Sequence, residues 1–554
     1  MKQVEIFCEN TGSWHSYPLS TSLLEISKDL NIKLEYTVCG ACVNNQVREL
    51  TFCVVKNKHI KFFDVSHPDG MRLYIRSLFF VLYAAVKEAF PYVSLQIQNC
   101  ISNGYFCELN GLEREITGSD IFSIVEEMKA LIEKDVPFVK KTILTTDAVE
   151  LLMQQRLEEK ARLFGQQGKL FTSLYFLNDL ANYFYGHLLP STGYISNFGL
   201  IPYKHGLLLQ MPDKNNFSQL LPAPKQPKLY DIFEEQKNWA EIMNVPTIGH
   251  LNEMTMNGEG GSVIKISEAL HEKKIAEIAN DIYSRGDQIK VVLIAGPSAS
   301  GKTTFSKRLG VQLAVNGLRP FSISLDDYFV NREETPLDEF GEYDFESLHA
   351  IDIDYFNAQL IQLMKGKEVR LPKFDFHLGK RMKNGRKLKL LPGDVLVVEG
   401  IHGMNPGLLT QVKEENTYRI FISALTQISF DEHMHIPTAD NRLIRRIIRD
   451  SKYRGYPAVE TLKRWPSVRR GEEKNIFPYQ ENADVMFNSA TLYELAVLKK
   501  YAEPVLKSVN ENEKEYSEAN RLLKFLSFFK PVDDSEIPPT SLLREFLGGS
   551  SFVY

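Results

Sequence analysis

The sequence predicts an α/β protein that ends in a doubly wound parallel sheet, preceded by two smaller α+β units. Three observations predict it. Short strand-like runs ("VEIFCE", "YTVCGACV", "ELTFCVV", "HIKFFDV") surround one helical stretch, "SLLEISKDL", within residues 1–63. A mostly buried helix, "MRLYIRSLFFVLYAAVKEA", opens the segment that follows. After residue 258, buried apolar runs alternate with helical patterns, the order of a parallel sheet covered on both faces.

At 554 residues the chain exceeds one ordinary core, so several domains are expected. The compositional breaks place them at 1–63, 64–257 and 258–554, the last with a helical tail. A breaker-rich stretch, "MPDKNNFSQLLPAPKQPKLYD", precedes the final unit. Hydrophobic residues make up 44% and charged residues 24%, a balance that suits a globular protein. The net charge of −5 argues against a global basic field for nucleic acid. The beginning, "MKQVEIFCENTG", has no signal-like apolar stretch, and "LFFVLYAAV" is too short to span a bilayer, so no membrane role and a cytoplasmic location are expected. All six cysteines lie in the first fifth of the chain, and "CGAC" (Cys39 to Cys42) lacks the second ligand pair that a zinc site needs. Reduced thiols on strands are expected there.

In the last unit, "IKVVLIAG" reads as a buried strand. It leads into "GPSASGKTT", that is Gly296, Pro297, Ser298, Ala299, Ser300, Gly301, Lys302, Thr303 and Thr304, and then into a helical pattern stopped by Gly317. Strand, glycine loop and helix are the context a phosphate-binding loop requires, because backbone N–H groups and the helix N-terminus then face the phosphates. Lys302 is placed to neutralise the β- and γ-phosphates of ATP and the Thr303 hydroxyl to hold Mg²⁺. Two more strands end in acids: "PFSISLDDYF" runs into Asp326 and Asp327, and "DVLVVEGIHG" ends at Glu399. Strand carboxyl ends of such a sheet meet at the ligand crevice, so these acids are expected beside the loop. One can hold Mg²⁺ while the other takes a hydroxyl proton. In "RLIRRIIRDSKYRG", Arg442, Arg445, Arg446 and Arg449 recur at helical spacing and suggest a cationic lid over transferring phosphates. No N-K-x-D occurs, which counts against a GTPase switch.

"GPSASGKTT", "SLDDYF", "LPKFDF", "VVEGIHG" and "RLIRRIIRD" occur in the order of the uridine kinase and phosphoribulokinase family, which residues 288–510 resemble. The resemblance implies an ATP- and Mg²⁺-dependent kinase. Asp326 matches the catalytic acid, Lys302 and Thr303 the nucleotide and magnesium residues, and Glu399 the second metal-side acid. Arg442, Arg445 and Arg446 match the lid. It also implies a nucleoside 5′-hydroxyl as acceptor, with Asp344, Phe345, Phe374 and Arg381 as contacts; a sugar phosphate is the alternative, with Lys380, Arg381 and Lys383 as its basic residues. In "FDFHLGKR", Phe374 and Gly379 stand where that family's uridine–cytidine kinases carry tyrosine and histidine, and His377 lies two positions early, so uridine is expected to be a weak substrate. The first half, with "YTVCGACVNNQVREL" and "NYFYGHLLP", is similar to the TGS and editing domains of threonyl-tRNA synthetases. Of the editing ligands only His187 remains, which implies a binding or regulatory module with tRNA or RNA as a partner rather than a hydrolase. A homo-oligomer is compatible with the sequence.

Overall fold

A computed structural model describes residues 2–376, 378–382 and 385–553. Near the N-terminus a five-stranded sheet runs in the order Ser13–Pro18, Gln3–Cys8, Lys58–Phe63, Gly40–Val43, Gln46–Glu49. Alternation along its strands puts Val4, Ile6, Ile60 and Phe62 inside. The helix Leu23–Asp29 packs there and starts on a capping box, in which Ser22 and Glu25 satisfy each other's backbone N–H.

The helix Pro68–Ala89 begins with proline at its first turn and is buried along most of its length. Around it lie a four-stranded sheet (Gly199–Tyr203, Gly206–Gln210, Gly104–Asn110, Ser94–Ile101) and a three-stranded one (Val139–Leu144, Phe171–Leu177, Leu180–Asn182).

The sheet of the last unit is entirely parallel, in the order Arg319–Ser324, Asp394–Glu399, Val291–Ala295, Thr417–Ser423, Val485–Asn488. Its central strand Val291–Ala295 is buried throughout, as a strand covered on both faces must be. On one face Val292 and Ile294 pack with Ile275 and Ile278 of the helix Gly260–Ser284 and with Phe305 and Leu309 of the helix Lys302–Val315. On the other, Leu293 and Ala295 pack with Phe356 and Leu360 of the helix Ile353–Met364. The sheet is therefore doubly wound.

The two halves share one hydrophobic core. A single buried cluster contains Cys39, Phe80, Leu443, Phe525 and Leu547. Tyr185 packs against Phe430 at 5.2 Å and Phe525 at 5.8 Å between ring centres. Lys160, fully buried, donates to Asp431 at 2.7 Å. Because its partner comes from the opposite half, loss of either charge strands the other in the interior.

Candidate active site

The loop after the central strand is shaped by close approach. A Cβ at Gly296 would lie 2.0 Å from the carbonyl oxygen of Ile422, so only glycine fits. Gly301 has φ +86° and caps the helix Lys302–Val315 without a side-chain hydrogen bond, leaving the first amides for an external acceptor. Carboxylates take two amides of this loop-and-helix start. Ser298 N–H donates to Glu472 at 3.0 Å. Thr304 donates to Glu545 twice, from its N–H at 3.3 Å and from its hydroxyl at 2.7 Å. Anionic oxygens at these donors are what the loop's positive N-terminus favours. The Lys302 ammonium donates to the carbonyls of Gly296 at 2.9 Å and Pro297 at 3.2 Å.

Parallel register brings the two acids together. Glu399 lies opposite Ser324 on one side and Ile294 on the other. The Ser324 hydroxyl donates to Glu399 at 3.0 Å, and Asp326 N–H donates to Ser324 Oγ at 3.3 Å. Burial pushes both carboxyls up. Glu399 reaches about 7, with the nearby Asp326 charge adding to the effect and Lys302 opposing it. For Asp326, Lys302, Arg454 and Arg449 oppose the burial. Burial in turn lowers the Lys302 ammonium, against the pull of Glu399, Asp326 and Glu545. Asp327 is committed elsewhere, accepting from Phe374 N–H at 3.2 Å. Thr303 sits half-buried in the first turn of the helix.

The arginine helix, Thr438–Tyr453, braces the loop. Arg442 is 1% exposed; it donates to the Ser298 carbonyl at 3.0 Å and pairs with Glu472. Arg445 is fully buried, pairs with Glu494 at 2.6 Å and donates to Ser489 O at 2.9 Å. These two are buried and paired rather than standing open as the cationic lid expected from the charge run. Glutamates from the helices Ala458–Asn475 and Glu494–Lys507 hold them. Arg446 donates to Ser298 Oγ at 2.9 Å and lies near Glu346, whose carboxyl burial pushes up to about 7. Arg454 and Arg449 join Lys302 as the cations whose charge reaches Asp326.

The acceptor candidates fall in two segments flanking these groups. Asp344 and Phe345 precede Glu346, and Phe345 is exposed. Phe374 clusters with Phe329 and Phe376 beside Asp327. Arg381 is half-buried; it donates to Asp352 at 2.8 Å and covers the Tyr355 ring. His377 and Lys383 lie outside the described residues. Glu472, Glu494 and Glu545 escaped sequence reasoning, since their partners lie far along the chain; Arg454, in the same arginine stretch, was not singled out and caps its helix at the C-terminus.

In the first half, His187 lies 3.3 Å from Glu49, which also accepts from Tyr175 and from Lys140 at 3.2 Å. Glu49 therefore joins two sheets, with that histidine beside it. The Cys39 thiol is buried and pushed well up by burial, and Cys42 rises to about 11, so both stay protonated. All six cysteines are free. Among the described residues no helix is long and apolar enough to cross a membrane.

Residues 291–496 match the phosphoribulokinase / uridine kinase family. They form a domain of that family. The uridine kinase of Staphylococcus epidermidis is 27% identical over 215 residues, 38% of this chain and 93% of that protein. Threonine–tRNA ligases match over the N-terminal half; that of Polynucleobacter asymbioticus is 27% identical over 192 residues, 34% of this chain and 30% of its own. The chain thus spans about a third of the ligases' length. Among solved structures, the D-glycerate 3-kinase of Cryptococcus neoformans aligns with a TM-score of 0.22 at 15% identity, covering 46% of this chain and 87% of that one.

Proposed function

We propose that the phosphoribulokinase/uridine kinase domain is an ATP-dependent kinase that phosphorylates the 5′-hydroxyl of a nucleoside. The observation that carries this is the pair of half-buried carboxylates, Asp326 and Glu399, at adjacent strand ends beside Lys302. Asp326, its carboxyl raised by burial against the pull of Lys302, Arg454 and Arg449, is the base that accepts the hydroxyl proton. Lys302 and the loop amides hold the phosphates, and Arg446 and Arg449 face the transferring group. Mg²⁺ fits Glu399 and Thr303, since a raised carboxyl beside a second acid gains from a cation; the ion would neutralise phosphate charge. Arg442 and Arg445 shape the loop from below. The missing tyrosine and histidine make uridine a poor substrate for its family, which steady-state kcat/KM for uridine and cytidine measures; turnover at ordinary family rates would contradict it.

Two further outcomes follow from the geometry. Glu399 holds its proton below about pH 7, so binding of Mg²⁺·ATP must displace it. Apparent affinity should therefore fall as pH drops from 8 to 6, approaching about tenfold per unit well below pH 7, with proton release seen by calorimetry. Glu545 competes with phosphate for the Thr304 donors. Glu545→Ala should tighten binding of a fluorescent ATP analogue by about tenfold, the worth of a charge-assisted hydrogen bond. Weaker binding would instead make Glu545 a nucleotide ligand.

A second function, RNA association through the N-terminal half with the ATP site as a switch, is favoured by the similarity to threonine–tRNA ligases. ATP turnover by the full chain that changes with added tRNA would support it. No tRNA binding at low salt would end it, since phosphate contacts are strongest there.

A further inference from the structure

Among the described residues four arginines are buried: Arg76, Arg308, Arg442 and Arg445. Three pair with carboxylates, Arg308 with Glu272, Arg442 with Glu472 and Arg445 with Glu494. Arg76 pairs with none. Its one hydrogen bond runs to the His187 carbonyl at 3.4 Å, and its guanidinium carbon lies 5.7 Å from the centre of the Tyr185 ring. The group is pressed against Gly186, where a Cβ would fall 2.2 Å from that carbon. The glycine makes a slot for a guanidinium that then has no anion. A buried, unpaired charge is costly and is normally neutralised or paired.

Three lysines converge on the same place from unrelated parts of the chain. Lys140, on the strand Val139–Leu144, lies 5.3 Å from the Tyr175 ring centre and 3.2 Å from Glu49. Lys169 lies 5.6 Å from the Phe528 ring centre. Lys524, on the helix Tyr516–Leu526 of the other half, has no carboxylate partner among the described residues. Burial and the charges of Lys140, Arg76 and Lys169 depress the Lys524 ammonium to about 8, with Glu49 opposing. His187, lowered by burial, adds no charge near neutrality. Four cations thus meet one carboxylate in a chain of net charge −5.

We propose that Arg76, Lys140, Lys169 and Lys524 form a second anion site, which takes a phosphate group at the junction of the two halves. Arg76, stacked on Tyr185, offers planar paired donors, and the lysines supply point charges. The ligand is a phosphorylated small molecule or the terminal phosphate of an RNA; both present the same group. The site is independent of the kinase assignment.

The test is calorimetric titration of inorganic pyrophosphate into the full chain at low ionic strength, with ADP saturating the glycine loop. The wild type should bind, and Arg76→Gln and Lys524→Gln should each weaken binding by about tenfold or more. Lys524→Gln changes a surface lysine on a helix, so its fold is secure if Arg76→Gln proves unstable. Anion binding should also raise the Lys524 ammonium from about 8. Uptake of up to about half a proton at pH 8, lost in Lys524→Gln, is therefore expected. Pyrophosphate binding unchanged in Lys524→Gln, or no binding by the wild type, overturns the proposal. A preference for a 5′-phosphorylated over a 5′-hydroxyl oligoribonucleotide that disappears in Lys524→Gln assigns the site to an RNA end; pyrophosphate binding without that preference assigns it to a small molecule.

Discussion

Asp326→Asn should lower kcat by about 10²–10⁴ while leaving ATP affinity within about twofold of wild type. The amide keeps the shape of the side chain and removes its ability to accept the hydroxyl proton. Ser324 holds the Asp326 backbone, so the turn should keep its position. The measurement is single-turnover phosphoryl transfer beside equilibrium binding of a fluorescent ATP analogue. Because the Asp326 charge helps to raise Glu399, the variant should also let Glu399 titrate lower. The lower arm of any remaining pH–rate profile should shift to more acidic pH. Unchanged turnover would remove Asp326 from the reaction.

Arg445→Ala should act first on stability. It leaves Glu494 buried without its partner and withdraws donors from Ser489 and from the Ala299 carbonyl in the glycine loop. Breaking a buried pair costs about 3–5 kcal/mol, enough to shift the urea midpoint visibly. ATP affinity should fall with it, because the loop loses its brace. Arg445→Met combined with Glu494→Leu should recover much of the stability, since it strands no charge. A single variant of wild-type stability with slowed transfer would return Arg445 to the lid role.

The glycine loop and the two strand-end acids were legible in the sequence because their signal is local. Gly296, Gly301 and Lys302 sit within seven residues, and parallel register does the rest, setting Glu399 beside Ser324 and next to Asp326. The arginines were legible as a helix and misleading as a surface. Periodicity places Arg442 and Arg445 on one face but says nothing of Glu472 and Glu494, which lie 30 and 49 residues further on and arrive only through tertiary packing. Glu545 is 241 residues from Thr304, so no spacing announces it. Arg381 was legible from its motif, but its ion pair with Asp352, on another element, was not. The close contact of Gly186 with Arg76 depends on a helix a hundred residues earlier, so no local signal marks it.

The central claim is the chemistry of the acceptor, and one measurement tests it most directly: kcat/KM for ATP-dependent phosphorylation across uridine, cytidine, purine nucleosides and ribulose 5-phosphate. The account predicts that a nucleoside is preferred, with phosphate delivered to its 5′-hydroxyl and uridine not the best of the set. A clear preference for ribulose 5-phosphate, or no phosphorylated product from any nucleoside, would contradict it.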